Sequence, residues 1–220
     1  MTSWRRPRRS FIVELTDRDL VRLYWPVELR PAFDALFAID DVMADVVASS
    51  TQPALGAIRL AWWREALQRL DQHPPPPEPR LAAVAAELLP RGVTGSGLAA
   101  MEDGYATLTE EHPDRERLGS AGEALFKIGA QLLGRDDAKL LEAGRLYAFA
   151  NAARRGLALW PAELELGHLK GHRFPRALRP LTALARLAAR DLKQAPSMEP
   201  QATPARAAAL LSHRLFGTIG

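Results

Sequence analysis

The stretch PAFDALFAIDDVMADVVAS, residues 31–49, decides how this chain folds. Wound as a helix at about 100° per residue, it sets Phe33, Leu36, Phe37, Ala44 and Val47 on one face. Ile39, Val42, Met43 and Val46 carry the apolar surface most of the way round. Only Asp34, Asp41 and Asp45 remain as a narrow polar stripe. A helix apolar over most of its circumference is a buried helix, so the stripe is expected to line a cavity or an exposed seam. Asp40 is stranger, because it falls inside the apolar face, where a charge is costly unless paired or solvated in a pocket.

A third helix is expected from about 54 to 70, after the break Ser49-Ser50-Thr51-Gln52-Pro53. Leu55, Trp62, Trp63, Ala66, Leu67 and Leu70 make its apolar face, with Arg59 among them and Arg64, Glu65, Gln68 and Arg69 on the outer side. An internal arginine here and an internal aspartate on the preceding helix predict a buried Asp40–Arg59 pair. That pair is either architectural or part of a ligand cavity. Trp62 and Trp63 fit the core or the wall of a tunnel, and any cavity is expected beside Asp41, Asp45, Arg59 and Trp63.

Working outward, alanine, leucine, arginine and glutamate dominate while valine, isoleucine and threonine are sparse, which favours helix throughout. Thr16 with Asp19 reads as a capping box opening a short helix that Pro26 closes, and Pro31 suits the first turn of the long helix. Residues 73–79, with four successive prolines, read as an extended connector. Further helices are expected near 80–89, 97–111, 120–133, 137–155, 176–194 and 204–215, with 156–175 irregular. The spacing therefore predicts an all-α domain over 1–195 and a proline-containing, poorly packed tail over 196–220 that holds one short helix.

Composition narrows the function classes. The chain has 220 residues, of which 47% are hydrophobic, enough for one domain with a real core. It has no cysteine, which excludes disulfides, thiol catalysis and cysteine-bound zinc. No apolar run approaches the roughly 18 uncharged residues of a membrane span, and Glu14, Asp17 and Asp19 interrupt any secretory core, so a cytoplasmic location is the default. The cluster Arg5, Arg6, Arg8 and Arg9 reads either as a solvated terminus or as a contact for an anionic surface. No nucleic-acid module is recognisable, so nucleic acid is not an expected partner. His168 and His172 have zinc-ligand spacing only if helical, and Gly167 and Gly171 oppose that.

Several motifs together resemble a known family. These are Asp17-Arg18-Asp19, Leu23-Tyr24-Trp25-Pro26, Arg30-Pro31, Ala35-Leu36-Phe37-Ala38, Ile58-Arg59-Leu60 and Trp62-Trp63-Arg64-Glu65-Ala66-Leu67. They resemble the N-terminal third of squalene/phytoene synthase family proteins. The likeness is to a bacterial branch related to the hopanoid-pathway squalene synthases and to the mitochondrial complex I assembly factor of the same fold. It is specific over about 15–70, and weaker over 97–134 and 176–195. The resemblance implies an isoprenoid-synthase-like helical bundle. Enzymes of the family hold magnesium between two aspartate-rich motifs on facing helices and condense two prenyl diphosphates.

Here the chain departs from that pattern. Aligning Ala35-Leu36-Phe37-Ala38 with the family sets its first acidic motif over residues 44–48, where only Asp45 is acidic. Asp41, one turn earlier, could join Asp45 on one magnesium. The helix before Trp160-Pro161, Leu146 to Arg155, contains no aspartate. The remaining acidic candidates are Glu102-Asp103, Glu110-Glu111, Asp136-Asp137 and Glu163 with Glu165. The resemblance thus implies a truncated or catalytically degenerate relative acting as a lipid-binding or assembly-type protein. Its ligands would be a prenyl diphosphate or other isoprenoid lipid, a protein partner, or the inner membrane surface touched peripherally. The alternatives are an active magnesium-dependent prenyl transferase and a helical interaction scaffold.

Overall fold

The computed structural model describes residues 15–220, so the cluster Arg5, Arg6, Arg8 and Arg9 lies outside the described residues. Among the described residues every regular element is helical. The chain runs α1 (Asp17–Arg22), α2 (Arg30–Ser49), α3 (Pro53–Arg69), α4 (Pro79–Glu87), α5 (Gly95–Ala99) and α6 (Glu102–Ala106). It continues through α7 (Arg115–Leu132), α8 (Leu140–Arg154), α9 (Glu163–Leu169), α10 (Arg179–Gln194) and α11 (Pro204–Phe216). The all-α class read from the sequence holds.

Local chemistry explains most of the boundaries. Thr16 accepts the Asp19 amide at 3.3 Å while the Asp19 carboxylate accepts the Thr16 amide at 2.8 Å, closing the capping box of α1. Proline opens α2, α3, α4, α10 and α11, where its missing N–H breaks no helical bond. The segment 97–111, expected as one helix, is instead split into α5, α6 and a 3-10 turn. Gly104 of α6 sits tightly on α7, where a Cβ would come within 2.7 Å of the Arg117 carbonyl. Residues 163–169, expected to be irregular, form α9, whose Glu165 is buried against Arg115 at 2.7 Å.

α7 and α8 are the backbone of the bundle, and glycine sets their separation. A Cβ at Gly122 would lie 2.2 Å from the Gly144 carbonyl oxygen, and one at Gly144 would lie 2.4 Å from the Gly122 oxygen. Neither neighbour is a side chain able to swing away. Gly144→Ala should therefore force the two helices apart and cost about 1–3 kcal/mol or more in urea denaturation, as overpacking does. An unchanged midpoint would show that the helices are looser than this geometry requires.

The C-terminal segment is packed, contrary to the expectation of a loose tail. Leu210 and Ile219 are buried, and Arg206 is fully enclosed. Besides Leu210 and Ile219 its anchors are polar, and a hydrophobic pattern does not display them. His213 in its last turn is one anchor. Its Nδ1 lies 2.8 Å from the Thr218 carbonyl and its Nε2 2.9 Å from the Thr182 hydroxyl.

Burial, helped by the charges of Arg186 and Arg179, pushes the His213 pKa down from 6.5 to about 4. The neutral ring is the one the fold accepts. A depressed pKa contributes stability above pH 6.5 that is lost as pH falls towards 4. That loss should reach about 3 kcal/mol, measured as the fall in unfolding free energy between those pH values. His213→Gln should remove this component, and an equally steep acid limb in the variant would rule His213 out as its source.

Candidate functional site

α1, α2, α8 and α10 surround a cleft of about 490 Å³. Asp34 and Asp41 of α2 face it, as the polar stripe of residues 31–49 predicted. Its opposite wall is apolar, formed by Ala150 of α8 and Leu184, Leu187 and Ala188 of α10. Arg18, Arg22, Arg154, Arg155 and Arg206 line it together with Asp17, Asp19, Asp34, Asp41 and Asp191. Five positive groups against five negative ones leave its lining without formal net charge.

The pairing is specific. Arg18 of α1 donates to Oδ2 of Asp41, and Arg155, beyond α8, donates to Oδ1 of the same carboxylate at 3.0 Å and to Asp45. Asp45 is more exposed and stands outside the cleft lining. Arg22 clasps Asp34 through Nε and Nη2, both at 2.8 Å. Arg154 and Arg206 share Asp191, each with a contact of 2.5 Å, and Arg206 reaches on to Asp17 at 2.5 and 2.8 Å. Asp191 is thus a later-half carboxylate in the same cleft as Asp41, but held by two guanidinium groups.

Below the stripe lies Asp40, 2% exposed. Tyr105 of α6 donates its hydroxyl to Oδ1, Tyr147 of α8 donates to Oδ2 at 2.7 Å, and Arg18 stands 3.9 Å away. Tyr147 also receives a hydrogen bond from Arg18 at 2.9 Å, so one network joins α1, α2, α6 and α8. Burial, then the Asp41 charge, raises the Asp40 pKa against the opposing pull of Arg18 and the tyrosines. Burial, then the Asp40 charge, raises both tyrosine pKa values, which keeps them as hydroxyl donors.

Arg59 is not in this network, so the expected Asp40–Arg59 pair is wrong. It is exposed and reaches only the Ser49 hydroxyl, at 3.4 Å. The reason is a choice between two apolar stripes on α3. Gly56, Leu60, Trp63, Ala66 and Leu67 are the buried set, while Leu55, Ile58 and Trp62 face outward with Arg59. Trp63 is core, packed edge-on against Trp62 at 5.1 Å between ring centres, and neither ring lines the cleft. The cavity expected beside Arg59 and Trp63 lies instead on the α1 side of α2.

Magnesium does not fit the stripe. Both Asp41 oxygens and one Asp45 oxygen already accept from guanidinium groups, and a dication there would meet Arg18 and Arg155. Five of the eight other acidic candidates are paired elsewhere. Glu102 meets Arg64, Asp103 and Glu110 meet Arg117, Glu165 meets Arg115 and Arg145, and Asp137 meets His172. None of them lines the cleft. His168 lies in the last turn of α9 while His172 lies beyond its end, so the two do not share the helix that zinc-ligand spacing needs. Among the described residues, no three of His, Asp and Glu gather as a metal cage.

Arg18, Tyr105 and Tyr147 escaped the sequence reading. A signal existed for the tyrosines, since a tyrosine inside a helical core needs a partner for its hydroxyl. Arg18 lay in plain view between two aspartates and was read only as part of a motif. No protein-family model, curated protein or solved structure matches this chain.

Proposed function

We propose that this chain is a squalene/phytoene-synthase-like protein that has lost metal-dependent catalysis and acts as a lipid-binding or assembly-type protein. The observation that carries this reading is that Arg18 and Arg155 occupy the aspartate stripe on which such an enzyme would seat its metal. Ionising a prenyl diphosphate needs cations bridging protein carboxylates to phosphate oxygens. Here Arg18 and Arg155 take up both oxygens of Asp41, and Arg155 takes up one of Asp45, so the stripe meets guanidinium groups where a bridging cation would sit. The cleft keeps a polar rim and an apolar wall, which suits a lipid whose head forms hydrogen bonds and whose chain lies on Leu184 and Leu187.

Asp191 opposite Asp41 is the feature that favours the alternative, an active transferase. Its two arginine partners weigh against that role. The outward stripe Leu55, Ile58 and Trp62 suits a protein-contacting scaffold, as assembly-type proteins require. Titration with farnesyl diphosphate and with farnesol, with and without magnesium, separates the readings. Saturable binding that is indifferent to magnesium and releases no diphosphate is expected. Magnesium-dependent release of diphosphate, abolished by Asp45→Asn, would establish an enzyme; absence of any lipid saturation would leave the scaffold.

A further inference from the structure

A second cleft, about 440 Å³, opens where the end of α11 meets the start of α10 and the residues after α1. Its charge is unlike that of the first. Arg176, Arg179 and Arg214 line it, and among the described residues no carboxylate does. Arg179 is fixed from behind: its Nε donates to the Phe174 carbonyl at 3.0 Å, and one Nη donates to the carbonyls of Arg214 and Leu215 at 2.9 Å. Arg214 lies over the Tyr24 ring at 4.8 Å. Burial, then the like charges of Arg176 and Arg173, lowers the Arg179 pKa, as expected where positive charge is uncompensated.

Large apolar side chains on the elements that form this cleft stand in the open, Leu215 in its lining. Leu211, Leu215 and Phe216 of α11 are more than half exposed, as are Leu23 and Val27 on either side of Tyr24. In the first cleft every lining arginine meets a carboxylate, whereas among the described residues none of Arg176, Arg179 and Arg214 does. Guanidinium groups beside exposed leucine and phenylalanine suit the boundary between phosphate headgroups and acyl chains. No described helix is long and apolar enough to cross a membrane. We propose that this face, Tyr24, Arg176, Arg179, Arg214, Leu215 and Phe216, docks on an anionic phospholipid surface. The site is distinct from the charge-balanced cleft, and its occupancy does not depend on what binds there.

Vesicle co-sedimentation tests it, using phosphatidylcholine alone and phosphatidylcholine mixed with phosphatidylglycerol. The full chain should partition only onto the mixed vesicles. Arg176→Gln with Arg214→Gln should weaken that partition roughly 30-fold, given the contribution of each arginine near an anionic surface, with the N-terminal arginines left in place. Arg176→Lys with Arg214→Lys should restore most of it. Leu215→Ser with Phe216→Ser, both exposed, should weaken it without changing the charge, which guards against a double glutamine variant that fails to fold. Equal sedimentation with neutral vesicles, or undiminished binding in the folded glutamine and serine variants, would overturn the proposal. So would binding to polyglutamate with no vesicle partition, which would indicate an acidic protein partner.

Discussion

Arg206→Met is expected to be the most damaging single substitution in the chain. The guanidinium is 0% exposed and spans Asp17 of α1 and Asp191 of α10 from its own helix, α11. Removing it leaves two carboxylates buried or nearly so, at 9% and 2% exposure, with Arg154 the remaining partner of Asp191 and, among the described residues, no cation left on Asp17. Breaking a buried pair by deleting one partner costs about 3–5 kcal/mol, a large part of the roughly 5–15 kcal/mol that holds a domain folded. Urea denaturation should show it directly. Adding Asp17→Asn should recover part of the loss, because the penalty is the stranded charge rather than the missing attraction. If Arg206→Met melts with wild type, α11 is not held by this bridge.

The second large effect is expected at Asp40. Asp40→Ala removes the acceptor of two buried tyrosine hydroxyls and opens a cavity between α2, α6 and α8. Two orphaned donors at about 1–3 kcal/mol each give a loss of about 2–5 kcal/mol once relaxation is allowed. Asp40→Asn keeps the shape and one acceptor oxygen, so it should cost much less. It should also gain on wild type as pH rises. A carboxyl whose folded pKa is raised supports the fold below the ordinary aspartate range, and that support is lost as pH climbs through the folded value. Arg59→Met should change stability little and show no coupling to Asp40→Asn in a double-mutant cycle. Coupling of 1 kcal/mol or more would restore the pair that the geometry dissolves.

What the sequence disclosed, and what it withheld, follows the range of the interactions concerned. α2 was legible because its signals are local: proline in the first turn, an apolar sweep, and an aspartate stripe of which Asp34 and Asp41 face a cleft. Asp40 stood out for the same reason, as a charge inside an apolar face. Its partners did not, since Arg18, Tyr105 and Tyr147 lie 22, 65 and 107 positions away along the chain. α3 carries two competing apolar stripes, and only its packing decided that Leu60 and Leu67 go inward while Ile58 and Trp62 stay out. The tail misled because an enclosed arginine between two aspartates resembles, letter by letter, three surface residues. The pairing of the stripe with Arg155 is likewise long-range, 110 positions from Asp45.

Whether the aspartate stripe is open to a metal decides between a catalyst and a protein that only binds. Magnesium titration of the wild-type chain, followed by the melting temperature, addresses that directly, with Arg18→Gln/Arg155→Gln as the comparison. Wild type is expected to show no saturable stabilisation. The double variant, with Asp41 and Asp45 released, should bind magnesium at least roughly tenfold more tightly, the worth of two partly exposed ion pairs. Saturable stabilisation of wild type by magnesium, lost on Asp45→Asn, would contradict the claim that these arginines stand where a catalyst would keep its metal.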